Sequence, residues 1–151
     1  MQKVRSIFLA EDSDDDTFFA RRCFAAVDEN LKVDRFRNGL ELCTALEAGR
    51  SNLPLAVILD LKMPLMDGFE TLNWIRAQPA LKNLPVVILS SSDMIEDKTR
   101  AAGLGCTEYL VKPSSIGELE ELLRRLLQGL LQPHPGSVIA ATSPEMARPS
   151  A

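Results

Sequence analysis

Three acids, a serine and a lysine stand where short apolar runs of this sequence end. Glu11-Asp12 follow Ser6–Ala10, Asp60 follows Leu55–Leu59, Ser90 follows Val86–Leu89, and Lys112 follows Tyr109–Val111. Three of these runs are almost continuously apolar, as strands covered on both faces should be. In an open parallel sheet, functional groups collect outside the carboxyl ends of the strands. The five side chains therefore converge on one crevice. Carboxylates crowded together repel, and each is pushed toward its protonated form. A hard divalent cation on oxygen ligands removes that conflict. Mg²⁺ is the fitting choice, because it takes few protein carboxylates, keeps waters and accepts phosphate oxygens. A carboxylate beside a hydroxyl, a lysine and such a metal suits phosphoryl transfer. The cations neutralise equatorial oxygens while the carboxylate attacks in line.

The elements that must hold these residues follow from the spacing. A further β-like run, Leu31–Phe36, lies between the first two, and segments of helical period fall near 14–26, 39–48, 67–77, 93–102 and 115–131. Five βα units with short links imply a parallel sheet wrapped by helices on both faces. The expected fold is α/β, a flavodoxin-like doubly wound (βα)5 arrangement with strand order 2-1-3-4-5. The second run is the most polar, which suits an edge strand. Ser13 or Asp14 is expected to cap the first helix and Asp93 the fourth. Gly49 and Gly103 are expected to close helices in the left-handed conformation. Trp74 reads as packing, because Phe69, Leu72 and Ile75 define the inward face of the third helix. The last helix carries Ile116, Leu119, Leu122, Leu123, Leu126, Leu127, Leu130 and Leu131 at helical spacing. That stripe exceeds what one covered face needs, so part of it is expected to serve a homodimer through the fourth helix, fifth strand and fifth helix.

Composition narrows the class of function. The chain has 151 residues, 46% hydrophobic and 25% charged, with a net charge of −4. That fits one globular domain and no global attraction to nucleic acid or anionic lipid. No apolar run reaches the ~18 residues that span a bilayer, and Met1–Ser6 lead into a strand-like run rather than a signal peptide. A cytoplasmic protein is expected. Cys23, Cys43 and Cys106 are far apart and odd in number, so they read as small buried residues rather than a zinc or redox pair. The one histidine, His134, lies between two prolines. It supplies neither a catalytic triad nor a metal ligand inside the globular part, and any phosphohistidine donor must be another molecule. After Gln132 the composition turns to Pro, Ser, Ala and Gly, with four prolines from Pro133 to Pro149. The expected division is a folded domain over 1–132 and a flexible tail over 133–151.

The motifs together resemble a known family. Glu11-Asp12, the block Ile58-Leu59-Asp60-Leu61-Lys62-Met63-Pro64-Leu65-Met66-Asp67-Gly68, Ser90 and Tyr109-Leu110-Val111-Lys112-Pro113 are similar to the receiver domain of two-component response regulators. The likeness runs in order from Ser6 to Leu131. Leu84–Ser92 is similar to a subset of small stand-alone regulators, some paired with phytochrome-type kinases. The resemblance implies that Asp60 accepts a phosphoryl group from a sensor histidine kinase or phosphotransfer protein. It implies Mg²⁺ on Asp12 and Asp60 directly, on Glu11 through water and on the Lys62 backbone carbonyl. Ser90 would hydrogen-bond the phosphoryl group, Lys112 would pair with its charge, and Tyr109 would be the switch aromatic. A cis bond before Pro113 is usual in the family. Two departures stand out: Glu11 occupies a position often held by Asp, and Lys62 places a long cation two residues after the acceptor.

Other readings weaken against the whole pattern. An isolated Asp60 would be a strand-end cap, and Asp14, Asp15 and Asp16 read as an acidic helix start favoured by the dipole. A constitutive adaptor would not need the complete acid, serine and lysine set. An aspartyl phosphatase would want a second Asp where Lys62 stands, and a nucleotide-binding protein would want a glycine-rich loop where Glu11-Asp12-Ser13 stand. Nothing after Gln132 reads as a DNA-binding or enzymatic unit. The expected function is therefore a single-domain response regulator acting through a protein surface on a downstream target the sequence does not name.

Overall fold

The short buried runs and amphipathic segments assemble as the spacing predicts. The structure, a computed structural model, describes residues 5–132. Strands β1 (Arg5–Ala10), β2 (Leu31–Phe36), β3 (Ala56–Leu59), β4 (Val86–Ser90) and β5 (Glu108–Val111) form one parallel sheet in the order 2-1-3-4-5. Helices α1 (Asp14–Val27), α2 (Gly39–Ala48), α3 (Gly68–Ala77), α4 (Ile95–Leu104) and α5 (Ile116–Leu131) cover its faces. A single 3-10 turn, Pro79–Leu81, follows α3. Parallel neighbours cannot be joined by a hairpin, so each crossover carries a helix and two cores result. One core joins Leu42, Leu46, Leu59, Leu72, Ile75 and Ile88 beneath α2, α3 and α4. The other joins Ile7, Phe24, Ile58, Leu123 and Leu127 beneath α1 and α5.

Register brings the strand ends level. Ala10 stands beside Leu59, Leu59 beside Ile88, and Ser90 beside Val111. The residues that follow, Glu11, Asp60 and Lys112, therefore emerge at one edge of the sheet beside Ser90. The polar run does form the edge strand β2.

Several local expectations change. Ser13 caps α1, its side chain accepting from the Asp16 amide. Asp93 does not cap α4, because that helix begins later with Met94 at the cap position. Ser92 Oγ instead accepts from the Met94 amide at 3.3 Å and donates to Asp97 at 2.6 Å, which leaves Asp93 to pair with Lys98. Gly49 ends α2 at φ −108°, outside the left-handed region. Gly103 lies inside α4, and Gly105, at φ 97°, is the left-handed cap that takes the place assigned to it. The peptide before Pro113 is trans, as are all those described. Cys23 and Cys43 are buried and Cys106 is half-buried. Trp74 packs against the first core. On α5, Leu119, Leu122, Leu130 and Leu131 pack against the second core alongside its buried leucines, so Ile116 is the one residue of the stripe left strongly exposed. His134 and the segment 133–151 lie outside the described residues.

Candidate functional site

Each functional side chain is held by backbone bonds that continue the sheet past its strands. The Glu11 amide donates to the Phe36 carbonyl at 2.9 Å, and the Asp60 amide donates to the Ala10 carbonyl at 3.1 Å. The Lys112 amide donates to the Ser90 carbonyl at 2.8 Å. Asp60 is thereby fixed next to Glu11 and Lys112 next to Ser90 before any side chain interacts.

Oxygens of Glu11, Asp12 and Asp60 lie within 4.8 Å of one another. Glu11 is 4% exposed, Asp60 half-buried and Asp12 exposed. Burial first, and the neighbouring Asp60 second, push the Glu11 carboxyl above the ordinary glutamate range, while Lys112 pulls it back. The Ser13 amide also donates to Glu11 Oε2 at 3.1 Å. The cluster thus gathers three carboxylates in a partly dry place, which is the donor set a hard divalent cation fits.

Lys112 answers the acids from the other side. Its Nζ is 3.0 Å from Glu11 Oε1, 3.0 Å from Asp16 Oδ2 and 3.7 Å from Asp60 Oδ2. Burial works against the ammonium, but Asp60, Glu11 and Asp16 outweigh it and hold its pKa above the ordinary lysine value. Ser90 is 1% exposed at the end of β4. Its Oγ accepts from the Ser92 amide at 3.1 Å, and the Ser92 carbonyl accepts from the Tyr109 hydroxyl at 2.9 Å. Serine and tyrosine are thus linked through one loop residue.

The Asp67-Gly68 pair now has a physical role. Asp67 caps α3 in a reciprocal capping box with Glu70. A Cβ on Gly68 would sit 2.4 Å from the Asp60 carbonyl oxygen, so only glycine lets α3 start this close to the acceptor strand. The Gly68 amide closes the loop by donating to the Leu61 carbonyl at 3.0 Å. Lys62 and its carbonyl lie in that loop, the side chain exposed. Leu65, at the loop tip, is 81% exposed with φ 65°.

The structure brings together Glu11, Asp12, Asp60 and Lys112, and it adds Asp16 and Arg35 to them. Asp16, expected only as part of an acidic helix start, reaches Lys112 at 3.0 Å. A signal was present: Asp16 lies one turn before the buried Ala20, on the inner edge of α1. Arg35 donates from Nε to the Glu11 carbonyl at 2.7 Å and pairs with Asp14 at 3.0 Å, so it braces the acidic loop. Its Nη2 is buried without a partner.

A doubly wound parallel sheet thus presents an acid cluster, a buried serine and an acid-held lysine at its carboxyl edge. The sequence model described as response regulator receiver domain matches residues 7–143, and the chain belongs to that family. The probable methanogenesis regulatory protein FilR2 of Methanothrix harundinacea (strain 6Ac) is 31% identical over 123 residues, covering 80% of this chain and 79% of that protein. The polar-differentiation response regulator DivK of Brucella anthropi is 28% identical, covering 82% and 96%. The chain spans 41% of the response regulator Rre1 of Synechocystis. Among solved structures, the phosphorylated cyanobacterial phytochrome response regulator RcpA superposes with a TM-score of 0.82 at 28% identity, over 88% of this chain and 98% of that one. The Mn²⁺-bound response regulator Rcp1 gives 0.78 at 26%, over 87% and 97%. Receiver domains take phosphoryl groups from histidine kinases, so this one works in phosphorelay signalling and is not a classical enzyme. No described helix is long and apolar enough to cross a membrane.

Proposed function

We propose that Asp60 is the phosphoacceptor of a cytoplasmic response regulator, and that Glu11, Asp12, Asp60 and the Lys62 carbonyl hold Mg²⁺. The observation that carries this is the position of the Asp60 carboxylate, between two further carboxylates and a lysine 3.7 Å away. Mg²⁺, when bound, supplies charge that quiets the acid cluster and neutralises phosphoryl oxygens. Asp60 Oδ attacks phosphorus in line; the P–N bond of the donor phosphohistidine breaks and its electron pair returns to the imidazole. Lys112 neutralises a phosphoryl oxygen. Ser90 turns its hydroxyl to another and loosens its bond to the Ser92 amide. Because Ser92 also holds the Tyr109 hydroxyl, the tyrosine is released to move inward.

Output then runs through the face formed by α4, β5 and α5, toward a downstream protein or a second copy of this chain. The exposed Met94, Ile95 and Ile116 border that face. The likeness to RcpA and to the regulator RPA3017, described in red light signalling of R. palustris, favours a phytochrome-type histidine kinase as the donor. The segment 133–151 is read as a tail, its first part, to residue 143, falling within the family match. Exposed Lys62 sets the lifetime of the phosphate; equal hydrolysis rates for Lys62→Ala and native phosphoprotein would remove that role.

The test is intact mass after incubation with Mg²⁺ and acetyl phosphate. One added phosphoryl group, absent from Asp60→Asn, is expected. An adduct of equal yield in Asp60→Asn contradicts the assignment, and no adduct in the native protein favours a constitutive adaptor.

A further inference from the structure

Phosphoryl transfer at Asp60 leaves the Lys112–Asp16 ion pair without a purpose. We propose that Asp16 is a positioning residue that holds the Lys112 ammonium off the acceptor in the resting protein and so slows capture of the phosphoryl group. This rests on the roles of Asp60 and Lys112 given above and adds a regulator to that site.

Lys112 Nζ makes hydrogen bonds of 3.0 Å to Glu11 and 3.0 Å to Asp16, whereas Asp60 Oδ2 at 3.7 Å is beyond hydrogen-bond range. An ammonium has three donors, and two of them are committed away from the acceptor. The two competing acids differ in kind. Glu11 is buried and belongs to the acid cluster, while Asp16 stands apart from it on α1 with its side chain 48% exposed. The position of Asp16 is fixed by the fold. Ser13 Oγ accepts from its amide at 3.2 Å, and the buried Thr17 and Ala20 turn this edge of α1 inward. When phosphoryl oxygens arrive at Asp60, the contact that Lys112 surrenders most easily is the one to the solvated carboxylate, since exposed ion pairs are the weaker ones. Asp16 is thus a removable brake, and Glu11 is not.

The experiment measures initial rates of labelling by acetyl phosphate with Mg²⁺, read by intact mass, for the native protein, Asp16→Asn, Lys112→Met and the double variant. Slow variants are followed over longer incubations. Asp16→Asn is expected to be labelled roughly two- to five-fold faster than native, the range an exposed ion pair commands. In the Lys112→Met background the same change is expected to do nothing, because the lysine it acts through is gone. Removing one negative charge also lowers general repulsion of the anionic donor. That field effect is equal in both backgrounds, so a gain of the same size with and without Lys112 overturns the proposal. So does an Asp16→Asn rate equal to or below native. A native protein that takes no label at all would instead overthrow the functional reading, and this inference with it.

Discussion

Asp60, Glu11, Asp12, Ser90 and Lys112 were legible because each ends a strand-like run, and the rule for parallel sheets needs only that position. Asp16 was signalled only by helix phase, one turn before Ala20, and Arg35 not at all, because its role depends on a neighbour across the sheet. Tyr109 was legible as a residue, but its tie to Ser92 was not, since both ends of that bond are set by loop geometry. Cys43 shows a further consequence of placement. Burial alone pushes its thiol from 9.0 up to about 12. A raised thiol pKa means the folded state favours the neutral form. The stability it contributes is complete below pH 9.0 and is lost as pH climbs toward about 12. Denaturant midpoints over that window are expected to fall more steeply for the native protein than for Cys43→Ala, by at most about 1.4 kcal/mol per pH unit. Parallel slopes would mean that the thiol titrates normally.

At the scale of elements, the start of α3 is a tightly constrained join. Asp67 caps it, Glu70 returns the bond, and Gly68 lets it approach Asp60. Asp67→Ala is expected to cost about 1 kcal/mol of stability, the usual value of a cap, with labelling of Asp60 little changed. Gly68→Ala is expected to act differently. Its Cβ would press on the Asp60 carbonyl and on Leu61 Cα, which are backbone and cannot swing aside. About 1–3 kcal/mol of stability should go, as in other overpacked sites, together with a clear fall in the labelling rate of the protein that remains folded. A native labelling rate in Gly68→Ala would show that the acceptor strand tolerates displacement. Helix ends were the least legible elements. Asp93 has the right chemistry for a cap, yet Ser92 arranges the loop so that α4 starts beyond it. Gly105 rather than Gly103 closes α4 because the helix runs on to Leu104. Such choices turn on loop hydrogen bonds rather than on residue type.

On the scale of the whole molecule, two apolar cores hold the sheet, and both were readable from periodicity because every crossover helix has one covered face. Most leucines of the α5 stripe pack on the second core, Leu119, Leu122, Leu130 and Leu131 only partly buried there. The site is a place where the folded chain holds like charges together, and ligand linkage follows. Mg²⁺ at about a hundred times its dissociation constant is expected to add roughly 2.7 kcal/mol to unfolding stability. Chelation should remove that increment, and Asp12→Asn should abolish most of it. An increment that survives in Asp12→Asn would place the metal elsewhere.

Phosphorylation of the Asp60 carboxylate with the help of an acid-bound divalent ion is the step on which the proposed function rests. It is tested most directly by treating the protein with acetyl phosphate, with and without Mg²⁺, reducing the acyl phosphate with borohydride and mapping the peptides. The predicted result is a single reduced site at Asp60 that appears only with the metal. Reduction at another residue, or equal yield at Asp60 after chelation, would overturn this role of Asp60 and the metal.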